Sequence, residues 1–426
     1  MTDQAPVRAV LRHRAFRQLA AGRAFTVFGN SLAPVALSFA VLDLTGSLGD
    51  LGLVVGVRSL ANVAALLFGG VLADRVRRAV ILQGSALGSA VVQGVLALSV
   101  LLGFASMPLL LVLSMCNGLL AALSLPAAAS LTPQTVPAGE LRQANALARM
   151  GMNVGTIAGS SLGGLLASTA GPGWALAVDA VSFLVGAGCY LAVRVPAADR
   201  SGVPQKLRLT AELHDGWREF IARSWVWVVV LQFMVVNAAV SGGIQVIGPG
   251  IADATIGRTA WGFALAAQMA GAVVAGGLVA RLRVRRALLL GVVAVASEAL
   301  PLLALAQRPG VALLVSVMFV CGFALEWFAV AWDLSLQENV PADRLARVYS
   351  YDALGSFLAL PLGEMAAGPL ADRFGTRATL LVGALLVLAA TAAAAGTRGV
   401  RSLVVLAGRP AAPAPRTEDE EVMSLS

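Results

Sequence analysis

Apolar stretches of about 20 residues recur along this 426-residue chain, each long enough to cross ~30 Å of hydrocarbon as a helix. No other feature constrains the fold as much. In lipid every backbone N–H and C=O must be satisfied within the chain, which leaves helical bundles or closed barrels, and uninterrupted apolar runs select helices. Composition agrees: 58% of residues are hydrophobic and 13% charged, with a mean hydropathy of +0.82. A soluble chain this apolar would need a core larger than its surface allows. Twelve spans are read, at 18–42, 50–73, 79–103, 106–129, 146–169, 174–193, 224–249, 257–280, 286–306, 310–334, 347–371 and 378–396. The first follows a basic leader that lacks an A-x-A-type cleavage site, so it reads as a retained span and not as a signal peptide.

The chain also repeats itself. Val136-Pro137-Ala138-Gly139-Glu140-Leu141 returns as Val340-Pro341-Ala342-Asp343-Arg344-Leu345. Gly69-Gly70-Val71-Leu72-Ala73 and its arginines return as Gly276-Gly277-Leu278-Val279-Ala280 and its arginines. Two similar membrane halves are the signature of a secondary transporter, in which the halves rock about a site between them. The expected domains are a leader at 1–17, a six-helix bundle at 18–194, a link at 195–222, a second bundle at 223–397 and a tail at 398–426. The link is expected to hold an interfacial amphipathic helix near Leu213–Ile221. The Pro-Ala-rich, acidic tail cannot bury enough apolar surface to fold.

The net charge of +8 raises the question of nucleic acid, and its distribution answers it. Arginines cluster in alternate gaps: Arg8 to Arg17, Arg75 to Arg78, Arg142, Arg194 to Arg208, Arg281 to Arg286, Arg344 and Arg347, and Arg398 onward. The remaining gaps hold few, chiefly Arg258, Arg308, Arg373 and Arg377. By the positive-inside rule both termini are cytoplasmic, which requires an even number of spans. Basic charge here sets orientation; no nucleic-acid partner is expected.

Enzymatic readings find little support. Cys116, Cys189 and Cys321 all fall in apolar spans, odd in number and widely spaced, which fits small packing residues and not metal ligands. His13 and His214 lie outside the spans. There is no nucleophile–base–acid set and no phosphate-cradling G-x-x-x-x-G-K-[ST] loop. No cofactor and no metal are expected. A sensor or scaffold would need a large soluble domain, and no segment is long enough.

Two motifs carry more. Gly70-Val71-Leu72-Ala73-Asp74-Arg75-Val76-Arg77-Arg78, between spans two and three, resembles motif A of the major facilitator superfamily, G-x-L-A-D-R-x-G-R-[RK]. It departs from that pattern at Arg77 and Ala79. Asp74 can accept hydrogen bonds at a neighbouring helix N-terminus, where the dipole favours an anion. The resemblance implies a cytoplasmic latch made by Gly70, Asp74, Arg75 and Arg78; the bland alternative is a topology-setting basic turn. Gly368 to Arg377 matches the motif better as a string, but the span count places it outside, where it reads as a tight external turn. In span five, Gly155, Gly159, Gly163 and Gly164 resemble motif C of proton-coupled drug exporters, with Ser160 in place of the proline. Glycines at this spacing let helices approach closely.

The resemblance extends over nearly the whole chain. Val41 to Ser47, Leu131 to Leu147, Val178 to Phe183 and Gln337 to Ser356 look like the drug and siderophore exporter branch, which includes the enterobactin exporter and macrolide efflux proteins. It implies an all-α fold of twelve transmembrane helices in two pseudo-symmetric six-helix bundles, usually monomeric. Spans one, four, seven and ten would then line a central cavity.

Ionisable residues within spans are functional hypotheses by default, because a charge in hydrocarbon is costly. Arg58, Glu326 and Glu364 are the cavity candidates by depth. One of the two acids is expected to carry a coupling proton, with Arg58 as counter-charge or as anchor for an anionic substrate. Glu298 reads as a packing or lateral-path residue, Asp43, Asp50 and Asp179 as structural, and Asp333 and Asp352 as possible partners of the motif-A arginines. Asn30 stands where many members of the branch carry an aspartate. With Gln232 and Asn237 it could orient a substrate or make interhelical hydrogen bonds. The expected function is export of an amphipathic organic molecule (antibiotic, siderophore or other secondary metabolite) across a bacterial plasma membrane by proton antiport; an importer of an apolar solute is the alternative.

Overall fold

The computed structural model describes residues 7–75, 78–193, 217–218, 220–279 and 286–403. Among them every regular element is helical. Twelve long helices follow one another: α1 Arg14–Thr45, α2 Leu48–Arg75, α3 Arg78–Leu101, α4 Met107–Leu131, α5 Leu141–Thr169, α6 Pro172–Leu191, α7 Ser224–Ala254, α8 Arg258–Val279, α9 Ala287–Ala306, α10 Val311–Asn339, α11 Ala342–Phe374 and α12 Thr376–Gly396. Eleven are long and apolar enough to cross a membrane. The exception is α5, which has the length at 29 residues but carries Arg142, Gln143, Asn145, Arg149 and Asn153 in its first half. The sequence reading counts it as a span at 146–169, which leaves out Arg142, Gln143 and Asn145 and keeps Arg149 and Asn153. Much of the bundle's outer surface is apolar, as at Leu102, Val91 and Leu385, which suits lipid and not water.

Successive helices run antiparallel, so the bundle has two ends. We call the end where α1 begins proximal and the end where it finishes distal. All six distal turns use one residue in the left-handed region: Gly46, Gly103, Gly171, Gly257 and Gly375, and, between α9 and α10, Arg308 at φ 53. A left-handed residue reverses the chain within a few residues of a helix end. α7 contains a π-helical turn at Gly242–Ile247 and α9 a 3₁₀ turn at Val295–Glu298.

Helix partners repeat with a shift of six. α1 packs on α5 as α7 packs on α11; α2 on α4 as α8 on α10; α3 on α6 as α9 on α12. Glycines set these approaches. A Cβ on Gly159 would strike the Phe28 carbonyl oxygen of α1, one on Gly118 the Arg58 carbonyl oxygen of α2, one on Gly322 the Gln268 carbonyl oxygen of α8, and one on Gly363 the Ala238 carbonyl oxygen of α7. No water is squeezed out when helices meet in lipid, so close van der Waals contact and polar bonds must hold them.

The two groups of six meet along α2–α11 and α5–α8. Each seam has a facing glycine pair, Gly49 with Gly368 and Gly164 with Gly262. The offset that separates Val136 from Val340 also separates Gly164 from Gly368, so the repeat seen in the loops reappears in the seams. Gly368 is therefore a close-contact position inside α11; the external turn expected around it is made by Gly375 alone. Two polar links complete the distal closure. Ser168 Oγ lies 2.6 Å from Thr259 Oγ1 across α5–α8. Arg258, at the start of α8, binds Asp43 at the end of α1 with NH1 at 2.9 Å and NH2 at 2.5 Å. Its Nε also binds Asp253 at 2.7 Å, and its guanidinium lies over Phe39, 4.9 Å from the ring centroid. Every joining contact named here lies in the distal half.

The 195–222 link lies mostly outside the described residues. Its end is helical at Trp217, Arg218 and 220–222, and Trp217 and Phe220 sit 5.6 and 5.8 Å from the Tyr351 ring of α11. The tail beyond 403 is outside the described residues. α1 starts at Arg14, earlier than the expected residue 18, and at the proximal end His13 Nε2 meets Glu140 Oε2 at 3.0 Å.

Two predictions follow from this packing. With the native cysteines replaced by serine, Ser168→Cys with Thr259→Cys is expected to form a disulfide on mild oxidation, holding the halves together on a non-reducing gel after proteolysis in an engineered link; no cross-link would refute the α5–α8 seam. Gly159→Ala is expected to lower stability by about 1–3 kcal/mol through overpacking, while Gly94→Ala, where a Cβ meets open space, raises it by about 0.5–1 kcal/mol. Thermal unfolding in detergent checks both.

Candidate functional site

A layer of polar groups crosses the bundle near its middle. With a rise of ~1.5 Å per residue, Arg58 lies ~15 Å from the distal start of α2, Asn117 ~15 Å from that of α4, and Glu364 ~15 Å from the distal end of α11. Asp179 lies ~10 Å into α6. This is the depth at which a ~30 Å hydrocarbon layer is thickest on either side.

Arg58 Nε donates to Asn117 Oδ1 at 3.1 Å, and two carboxylates, Asp179 of α6 and Glu364 of α11, are buried in the same layer. Glu364 is 3% exposed. Its Oε1 accepts a 2.5 Å hydrogen bond from Ser241 Oγ of α7, while Oε2 has no well-aligned partner and is approached by Ser59 of α2. Glu364 therefore sits on the α2–α11 seam between the halves, its carbonyl oxygen against Gly52 of α2.

The remaining candidates are spread out. Glu326 is half-buried on α10 and faces Gly276 of α8; the structure does not bring it to Arg58. Gln232 is buried, with Nε2 bound to Thr391 Oγ1 at 3.1 Å and the Val292 carbonyl at 3.4 Å, which ties α7 to α9 and α12. Asn237 Nδ2 donates to the Ser356 carbonyl at 2.9 Å, tying α7 to α11. Asn30 borders a void of about 20 Å³ in the first half, with Thr26, Ser85, Ser89, Ser124 and Tyr190. That holds about one water molecule and no organic solute. A larger recess of about 860 Å³ opens at the distal face between α1, α7, α9 and α12, lined by Leu42, Leu48, Ile251, Arg308 and Arg377 among others.

Gly155, Gly159 and Gly163 lie against the backbone of α1 at Ala24, Phe28 and Leu32, and Gly164 faces α8. Gly70, Asp74 and Arg75 close α2 and Arg78 opens α3, but their side chains lie outside the described residues. Asp333 and Asp352 bond within their own half: Tyr349 Oη donates to Asp333 at 3.0 Å and Trp332 Nε1 to Asp352 at 3.0 Å.

Three features escape a reading by depth and spacing. Asp43, read as structural, joins the two halves by binding Arg258 from the end of α1, with Asp253 of α7 as a second partner of Arg258. The available signal is Arg258 itself, an arginine in a gap where the charge pattern expects few. Asp179 is 0% exposed, deeper than its place in the string suggests. Ser241 and Ser59 become visible only once α7, α2 and α11 are packed.

The arrangement holds ionisable groups at the seam between two pseudo-symmetric halves, at mid-depth, with one end bolted. Comparison with known proteins agrees with that architecture. The Major Facilitator Superfamily profile matches residues 19–364. The multidrug efflux pump Tap of Mycolicibacterium fortuitum is 26% identical over 374 residues, covering 84% of this chain and 90% of Tap. The enterobactin exporter EntS of Shigella boydii is 28% identical over 247 residues, 57% of each chain. Among solved structures, the nucleoside transporter NupG superposes with a TM-score of 0.70 at 15% identity, over 89% of this chain and 98% of NupG. A bacterial homologue of the lysosomal transporter Spinster gives 0.67 at 17% identity, over 94% and 98%. Two packed halves, a polar layer on their seam and a profile match across most of the length together place this chain in the Major Facilitator Superfamily, as a multi-pass membrane transporter of small molecules.

Proposed function

We propose that this protein exports amphipathic small organic molecules from the cytoplasm in exchange for protons. All twelve long helices, α5 included, cross the bilayer, both termini are cytoplasmic, and the distal end is the extracellular side. The arginine-rich gaps fall at the proximal end, and Arg258, a distal exception, is engaged by two aspartates. The transporter works as a monomer of two halves, residues 18–194 and 223–397, and the conformation described is closed outside. The names carried by Tap and EntS, multidrug efflux and enterobactin export, favour an outward direction and an amphipathic or catecholate substrate.

The observation that carries proton coupling is the buried Glu364 on a seam that must open. An acid there exchanges a buried setting for a wetter one when the seam opens, which is what lets it bind and release a proton in the cycle. Glu364 thus has the environment of the coupling acid; Glu326, off the α2–α11 seam, is assigned no coupling role. Asp74, Arg75 and Arg78 latch the opposite, cytoplasmic end in the outward-facing state.

Everted membrane vesicles test the proposal. With an acid-inside gradient, vesicles containing the protein are expected to accumulate ethidium or enterobactin, and nigericin to abolish the accumulation. Glu364→Gln is expected to cut gradient-driven accumulation about tenfold or more while leaving downhill exchange measurable, because an uncoupled carrier still alternates. Accumulation driven equally well without a gradient, or efflux from the vesicles, would overturn antiport or the outward direction respectively.

A further inference from the structure

Four arginines stand in the gaps where the charge pattern leaves few, Arg258, Arg308, Arg373 and Arg377, and all four lie at the distal end. Two of them are engaged. Arg258 is held by Asp43 and Asp253, and the Arg373 guanidinium lies over the ring of Phe374. The other two, Arg308 after α9 and Arg377 at the start of α12, are exposed and pair with no carboxylate among the described residues. Both line the distal recess of about 860 Å³. The carboxylate in that lining, Asp253, is already bound by Arg258, so the two guanidinium groups face the recess uncompensated.

Arg308 carries a second mark. Among the described residues it is the one non-glycine with a left-handed backbone, at φ 53, in a position that glycine fills at the other five distal turns. A Cβ is crowded there, so an arginine at this point calls for a use that glycine cannot serve. One turn deeper than the guanidinium groups the walls are apolar: Leu42 from the first half, and Ile251, Leu305 and Leu380 from the second. Two helices that frame the recess, α9 and α12, also carry exposed leucines, Leu300 and Leu385, so the recess borders the surface that meets lipid. It lies where the helices leave the hydrocarbon, which is the level of lipid head groups.

We propose that this recess binds one anionic phospholipid, its phosphate held by Arg308 and Arg377 and the upper part of its chains laid on the apolar walls. A guanidinium matches phosphate oxygens with paired hydrogen bonds, and basic pockets between transmembrane helices seat lipid head groups. The volume falls in the ~300–1,000 Å³ range of sites that enclose a small molecule. Two cations without an acid favour a head group of net negative charge, phosphatidylglycerol over the zwitterionic phosphatidylcholine. Because Leu42 belongs to the first half and both arginines to the second, the bound lipid bridges the distal closure and favours the shut state by mass action. That the lipid comes from the outer leaflet rests on the orientation proposed above; the binding does not.

Native mass spectrometry of the full-length protein, released from a neutral detergent and titrated with either lipid, tests this. The wild type is expected to hold one phosphatidylglycerol about tenfold more tightly than phosphatidylcholine, the effect of one charge-assisted hydrogen bond. Arg308→Gly combined with Arg377→Gln keeps the left-handed turn, removes both guanidinium groups and should erase the preference. Arg373→Gln removes a distal arginine outside the recess and should leave it unchanged. Thermal unfolding in the same detergent separates binding from a structural role. Without lipid the double variant should melt no lower than the wild type, since residue 308 becomes a glycine at a left-handed position; with phosphatidylglycerol only the wild type should rise. Equal affinity of the wild type for the two lipids, a preference retained in the double variant, or a marked loss of its lipid-free stability overturns the proposal. Decanoate, a soluble anionic amphiphile, is the competing occupant: an arginine-dependent rise in Tm with decanoate and none with phosphatidylglycerol would give the recess to a solute and overturn the lipid assignment. None of these outcomes depends on transport direction or on a proton gradient, so export and lipid binding stand or fall separately.

Discussion

Close approach of backbones at glycine is the constraint on which the rest of this structure depends. In lipid, helices gain nothing by excluding water from one another, so adhesion comes from contact area and from polar bonds. Here the contact reaches the backbone itself at Gly118, Gly159, Gly322 and Gly363, each of which meets a carbonyl of the neighbouring helix. Because these approaches repeat under a shift of six helices, the two halves are two copies of one packing solution. The seam between them uses the same device in facing pairs, Gly49 with Gly368 and Gly164 with Gly262. Residues on either side of such a seam sit close enough for a serine of α2 to approach a glutamate of α11.

That closeness gives the mid-layer its chemistry. Arg58, Asp179 and Glu364 would each be costly alone in hydrocarbon. Arg58 is bonded to Asn117 and Glu364 to Ser241, each by a polar side chain of its own half. Glu298, by contrast, is as buried but lies on α9, away from Arg58, with an unpartnered Oε1. Burial alone does not distinguish these acids. What separates Glu364 is that its neighbours belong to both halves, so a movement of the halves changes its surroundings, while Glu298 keeps its own through any rigid-body rocking.

Much of this was legible in the string. Span length and arginine spacing predict the helices, and the repeat predicts two halves. The glycines of α5 were identifiable as contact positions because small residues at that spacing have few other uses in a membrane. Arg58 and Glu364 were identifiable because charges at that depth need a reason. What a linear reading lacks is the partner. Gln232 and Asn237 were read as able to orient a solute or to make interhelical hydrogen bonds, and they bond α7 to its neighbours, through the faces that meet α9, α11 and α12. Asp179 was read as structural from its place near the start of its span, and nothing in the string says that α1 and α3 would enclose it. α5 was counted as a span over 146–169, although its first half carries Arg142, Gln143, Asn145, Arg149 and Asn153.

The distal closure differs in kind from the packing within each half. Backbone contacts at Gly159 or Gly322 are continuous along crossing helices and have no hydrated alternative. The Arg258–Asp43 pair lies at the surface, with Asp43 43% exposed, and a pair so placed contributes ~0–1 kcal/mol against its hydrated state. The Ser168–Thr259 bond is exposed as well and can be exchanged for bonds to water. Both links therefore align the seam without welding it. A transporter needs that inequality: halves that stay rigid, and a closure within reach of the few kcal/mol that a proton gradient or a bound solute can supply. Below the polar links the α2–α11 seam also holds the buried Glu364, bonded to Ser241 of its own half. Opening the surface contacts costs little, and the charge that must be rebalanced underneath is where a proton can decide whether the opening goes to completion.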